Sequence, residues 1–375
     1  MRIGIDTREL TGRPTGVGRY LGELLGAWAD PAAGVAERCQ FVLYGPSALP
    51  PGAAARVAPL RPAVRVLPGL GGTWWEQLTL PAAASRDGLD VFFAPAYTAP
   101  LRLSCPVVLT IHDLSYFAHP EWFGWREGFR RRLVTRQAAR RAAAVLTVSE
   151  FSRAEIEAYL GLPASRIHAV PHGVGAPGFL SSSSATAGPA QPSPRGEPLV
   201  LFVGSILNRR RLPDLVAAFR LVLASVPQAK LEVVGENRTH PYQDLEALGR
   251  ASGAGDRIRV RSYVPDADLA DAYRRASAFA FLSEYEGFGL PPLETLASGI
   301  PPVLLDTPVA REVFGPAARY VPPGDVPAIA AALVDLLGNP DARARVLNEA
   351  AGVLSRYSWP EAARRTMAVL ESAVR

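Results

Sequence analysis

Short apolar runs recur along the chain at residues 2–5, 40–44, 90–93, 107–111 and 145–148, and each reads as a strand buried on both faces. Between them, apolar positions return at helical spacing over residues 20–28, 75–84 and 125–143. Strand and helix in alternation predict a parallel sheet flanked by helices. The rhythm stops at residues 175–198, GAPGFLSSSSATAGPAQPSPRGEP, where Ser, Ala, Pro and Gly leave no apolar period. It resumes with strands at 199–203, 230–234, 257–261, 278–282 and 302–305. No fixed-period repeat is present. The expected organisation is a first domain over 1–175, a linker over 176–198, a second domain over 199–357, and a helical stretch over 358–375 that can pack on either half, a return to the first among the options.

Composition narrows the classes. At 375 residues with 48% hydrophobic content, the chain exceeds what one core holds, which agrees with two domains. The start, MRIGIDTREL, lacks the basic lead and apolar run of a signal peptide, and no apolar stretch is long enough to span a bilayer, so a cytoplasmic protein is expected. Cys39 and Cys105 are too few for a disulfide framework and are expected to be buried. A net charge of +5 favours anionic partners, and nearly all the positive charge is arginine, since Lys230 is the single lysine.

The stretch SEYEGFGLPPLE, residues 283–294, carries the most chemistry. It follows a strand, and Pro291 suits the first turn of a helix that Gly299 would stop. Glu294 is expected on that first turn, with Glu286 across the Gly-Phe-Gly bend. A helix N-terminus presents N–H groups to anions, so Gly287, Phe288, Gly289 and Leu290 form a candidate phosphate cradle. Carboxylates on either side can accept hydrogen bonds from vicinal hydroxyls. The spacing fits a nucleoside diphosphate carrying a sugar.

Glu286 and Glu294 in EGFGLPPLE resemble the E-x7-E motif of the large GT4 family of retaining glycosyltransferases. Six further segments agree in order: TGVGRY at 15–20, IHDLSYF at 111–117, TVSEFSR at 147–153, VPHGV at 170–174, FVGSILNRRRL at 202–212 and VVGENR at 233–238. The resemblance implies an α/β GT-B fold, two Rossmann-like doubly wound domains facing a central cleft. It implies a hexosyltransferase that moves a hexose, mannose being one candidate, from a nucleotide-diphosphate sugar to a glycan or lipid-linked acceptor. Configuration would be retained, without metal or cofactor, the nucleotide-sugar serving as co-substrate. His112, Glu286 and Arg210 would be catalytic. Gly16, Gly18, Ser205, Arg209, Arg210, Val264, Glu286, Gly287, Phe288, Gly289, Leu290 and Glu294 would bind the donor, with Val264 beside the base. Where Arg210 stands the family usually has lysine, and where Gly175 stands it commonly has Asp. A GT-B epimerase or a non-catalytic nucleotide-binding protein would share these features.

Other segments leave two readings each. Gly16, Gly18 and Gly22 imitate a dinucleotide-binding turn, but the second strand ends in VLYGPS, without the acidic or basic discriminator such a site needs. His112 beside Asp113 suits contact with the transferred sugar or a satisfied structural pair. The TWWEQLTLP segment, 73–81, can line the acceptor side or bury Trp74 and Trp75 in the core. Trp122, Trp125, Phe129 and Leu133, interleaved with Arg126, Arg130, Arg131, Arg132, Arg136 and Arg140, suit peripheral contact with an anionic membrane at its inner face, or a helix packed on its own sheet. No aromatic-studded basic strand pattern supports nucleic-acid binding.

Overall fold

The computed structural model describes residues 1–12, 15–69, 71–175, 197–262 and 264–374. Most of the Ser/Pro/Ala-rich linker, 176–196, lies outside them. Two compact units result: Met1–Gly173 with Tyr357–Arg375, and Val174–Arg356.

The first unit holds a seven-stranded parallel sheet in the order β3-β2-β1-β4-β5-β6-β7. Its strands are β1 (Arg2–Asp6), β2 (Gln40–Gly45), β3 (Ala63–Val66), β4 (Val91–Ala94), β5 (Val107–Thr110), β6 (Ala144–Thr147) and β7 (Ile167–Ala169). The second holds a six-stranded parallel sheet in the order β10-β9-β8-β11-β12-β13. These strands are β8 (Leu199–Val203), β9 (Lys230–Val234), β10 (Ile258–Arg261), β11 (Ala276–Phe281), β12 (Pro302–Leu305) and β13 (Arg319–Val321). In both sheets the chain winds outward one way, then returns to the middle and winds the other way. The strand order therefore reverses between β1 and β4, and between β8 and β11, and the loops leaving these central strands diverge to open a crevice.

Five helices bear on function: α1 (Gly16–Ala29), α2 (Trp125–Arg141), α3 (Leu212–Ser225), α4 (Leu290–Ala297) and α5 (Trp359–Val374). Helix α5 buries Trp359, Ala362, Ala363, Thr366, Met367, Val369 and Leu370, a stripe at helical spacing. It packs on the first unit: Trp28 Nε1 of α1 donates to the Ala363 carbonyl at 2.9 Å, and an Arg365 guanidinium N–H donates to the Ala169 carbonyl at 2.6 Å. A Cβ on Gly173 would lie 2.1 Å from the Trp359 nitrogen, so the chain passes α5 at a distance only glycine permits. Cys39 is buried, while Cys105 is only partly so. Among the described residues no helix is long and apolar enough to cross a membrane.

Candidate active site

In the second unit, the loop after β8 and the loop after β11 flank the reversal point. Gly204 adopts φ 137, and a Cβ there would lie 2.7 Å from an Arg210 guanidinium nitrogen. Glycine thus clears space for Arg210 to fold over its own loop. That side chain donates to the Ser205 carbonyl at 2.7 Å and, through Nε, to Glu286 Oε1 at 3.2 Å, with its guanidinium 4.7 Å from the Phe281 ring centroid. Arg209 approaches the other Glu286 oxygen at 3.6 Å. Ser283 Oγ donates to Glu286 Oε1 at 2.8 Å. Groups that are 76 residues apart in the chain thus meet in one charge-assisted network.

Helix α4 begins beside it. Gly289, at φ 96, is its N-cap, a left-handed conformation that favours glycine, and Leu290, Pro291, Pro292 and Leu293 form the first turn. The two prolines have no N–H to leave unpaired there. A small hollow adjoins Glu286, bordered by Ser283, Gly289, Thr307 and Phe314. Glu294 is 6% exposed and lies one residue beyond the first turn, so its expected position shifts. The helix starts earlier than Pro291 suggested because Leu290 already has helical geometry. Val264 is buried.

In the first unit, His112 follows β5 at the carboxyl edge of the sheet. Its Nε2 lies 2.8 Å from the Pro95 carbonyl; that oxygen can only accept, so Nε2 carries the proton and Nδ1 is the acceptor nitrogen. The ring packs edge-on against Tyr20 at 4.8 Å and lies 5.6 Å from His172. Burial lowers the pKa of both histidines, so the imidazoles are neutral. Asp113 accepts from the Tyr97 hydroxyl at 3.0 Å and from Ser115 Oγ at 2.7 Å. Tyr97 takes φ 58, a conformation bulky residues avoid.

Gly16 opens α1, but the N–H of Gly18 is donated to Thr15 Oγ1 at 2.9 Å, which removes it from the expected set of anion-facing donors. Glycine at 18 is explained by close approach instead, since a Cβ would lie 2.4 Å from the Glu9 carbonyl. The aromatic pair at 74 and 75 divides: Trp75 is fully buried, with Nε1 donating to the Leu67 carbonyl, and Trp74 is 68% exposed.

Sequence reasoning missed Ser283, although it stands three residues before Glu286 in the same quoted stretch. It also missed a buried cluster at the end of β1. There Arg8 bridges Asp6 at 2.7 Å and Glu76 at 2.8 Å, and Thr98 Oγ1 donates to Glu76 at 2.6 Å. Burial raises the pKa of Asp6 despite Arg8. Among the described residues no group of three or more His, Cys, Asp or Glu side chains is placed to hold a metal ion.

Known proteins match this arrangement. A model described as glycosyl transferases group 1 matches residues 186–352, and one described as glycosyltransferase family 4 matches residues 14–176. The O-antigen chain mannosyltransferase B of Escherichia coli is 29% identical over 76% of this chain and 75% of its own. The MMP alpha-(1->4)-mannosyltransferase of Mycolicibacterium hassiacum is 28% identical over 73% of this chain and 67% of its own. Among solved structures, Anabaena Alr3699/HepE in complex with UDP and glucose superposes with a TM-score of 0.72 at 18% identity, covering 99% of this chain and 100% of that one. That likeness assigns the two Rossmann-like units to the GT-B fold. The paired models, the order of the motifs and the two doubly wound sheets agree: the chain belongs to the glycosyltransferases and is a transferase of glycosyl groups.

Proposed function

We propose that the protein transfers a hexose, mannose in the first instance, from a nucleotide-diphosphate sugar to a glycan or lipid-linked acceptor with retention of anomeric configuration. The observation that carries this reading is the Arg210–Glu286–Ser283 network at the reversal point of the second sheet, beside the N-terminus of α4. Mannose is favoured by the activities named for the two relatives.

The bond between the anomeric carbon and the diphosphate oxygen breaks, and negative charge grows on the leaving diphosphate. Arg209, Arg210 and the N–H groups of Gly287 to Leu290 supply positive potential there, so no metal ion is required for that task. Glu286 accepts hydrogen bonds from the sugar hydroxyls and fixes the ring. Glu294 holds the ribose. The acceptor oxygen bonds to the anomeric carbon from the face the diphosphate leaves, and its proton passes to the departing diphosphate oxygen. His112, neutral, serves as a hydrogen-bond partner to the sugar rather than as the base. The reaction is placed in the cytoplasm, at the inner face of the membrane.

The test is to incubate the enzyme with GDP-mannose, UDP-glucose and UDP-N-acetylglucosamine, each with a mannoside acceptor and a chelator, and to read the product anomer by NMR. An α-linked product from an α-linked donor in chelator is expected. An inverted anomer, strict metal dependence, or an isomerised free sugar without acceptor would overturn the reading.

A further inference from the structure

Helix α2 turns an unusual face outward. Trp125, Phe129 and Leu133 are 75%, 61% and 48% exposed, and successive i, i+4 positions line one stripe about 6 Å apart. Its buried contacts are small residues instead, Gly128, Thr135, Ala138 and Ala139. The packing of these aromatics on their own sheet, one of the two readings of the sequence, is therefore excluded.

Arginines occupy the same outward side. On a helical wheel, Arg126, Arg130, Arg136 and Arg140 fall within about 140° of Trp125, beside or along the apolar stripe. The helix carries seven arginines against one acidic residue, Glu127. Arg130 also donates to Thr73 Oγ1 at 2.5 Å. That contact brings up a second apolar pair, Trp74 and Leu78, which are 68% and 58% exposed and one helical turn apart. Helix α2 runs from the carboxyl edge of the sheet back toward its amino edge, because it leaves β5 and feeds β6. Trp125 and Phe129 consequently lie at the rim where His112 sits.

We infer that Trp74, Leu78, Trp125, Phe129 and Leu133, with Arg126 and Arg130, form a surface that docks on an anionic lipid bilayer. The aromatic and aliphatic groups enter the headgroup boundary while the guanidiniums meet lipid phosphates, the charge pattern of an in-plane amphipathic helix. A protein partner with a dry apolar core would leave these arginines to be desolvated unpaired, whereas phosphate headgroups satisfy them. The rim position delivers a lipid-anchored acceptor to the strand ends, and this last step alone rests on the proposed transfer reaction.

The experiment is flotation of the full chain with phosphatidylcholine vesicles and with vesicles containing phosphatidylglycerol, beside size-exclusion chromatography. Binding is expected only with phosphatidylglycerol and should weaken with salt. W125A/F129A should lose at least about tenfold in vesicle affinity, and R126E/R130E about fivefold or more per arginine. These positions are exposed, so the variants should keep the wild-type melting temperature and its shift with nucleoside diphosphate. Absence of binding, equal binding to neutral vesicles, variants that bind as wild type, or a dimer that W125A/F129A splits would each overturn the inference. Because nucleotide binding is read separately, failure here is distinguishable from failure of the proposed activity.

Discussion

Arg210 is where the geometry makes its sharpest demand. Its guanidinium serves Glu286 through Nε and a terminal nitrogen, both at 3.2 Å, and the Ser205 carbonyl at 2.7 Å through the other. Arg210→Ala removes all of these and the packing on Phe281. Both bonds start from a charged guanidinium and each is worth about 1.5–3 kcal/mol, so at least roughly 3 kcal/mol is at stake. Arg209, at 3.6 Å from the other carboxylate oxygen, keeps part of the positive potential. We therefore expect about 2–3 kcal/mol to appear in kcat/KM, a loss of roughly 30- to 150-fold. Arg210→Lys places a point charge where a fork was, and an ammonium can satisfy Glu286 or the Ser205 carbonyl but not both in the fork's geometry. That variant should lose about tenfold. The assay is steady-state transfer at varied nucleotide-sugar, with melting temperature as the control for folding. Activity of Arg210→Ala within threefold of wild type would refute the reasoning, as would a lysine variant no better than alanine.

Two other outcomes follow from the same geometry. Glu286→Ala should depress transfer by about 100-fold or more while leaving nucleoside diphosphate affinity within a few fold, because its proposed contact is to sugar; equal loss of both in calorimetry and in rate would move the residue to the nucleotide. His112 and His172 are buried with pKa values below the ordinary 6.5. Between that value and their folded values the unfolded chain binds more protons than the folded one, so stability falls as pH drops below 6.5, by up to about 1.4 kcal/mol per pH unit per histidine. Urea melts from pH 7.5 to 5.5 should show this slope, and His172→Asn should flatten it; a slope indifferent to that substitution would place the titration elsewhere.

The central strands were legible because parallel strands covered on both faces are written as unbroken apolar runs. Three of the four edge strands were not, β10 being the exception. Residues 63–66, AVRV, 167–169, IHA, and 319–321, RYV, are too short or too polar to stand out, and they form β3, β7 and β13 only because a neighbouring strand supplies their partners. The carboxylate pair was legible through its spacing and glycines, yet its principal contact was hidden. Nothing local announces that Arg210 will meet Glu286, since the pairing is created by β8 and β11 lying side by side. For the same reason Trp74 and Trp75, adjacent in sequence, took opposite fates: a helical turn points neighbours about 100° apart, and only the sheet decides which is inside.

The most direct test of the account is thermal unfolding of the wild type and of Glu294→Ala with UDP, GDP, ADP and dTDP in chelator. A ligand at a hundred times its Kd adds about 2.7 kcal/mol, a shift of roughly 5 °C or more for a unit of this size. We predict that one nucleoside diphosphate stabilises the wild type by that order and that Glu294→Ala loses most of the shift. Stabilisation by none of the four, or a shift that Glu294→Ala leaves intact, would contradict the placement of the donor site beside α4.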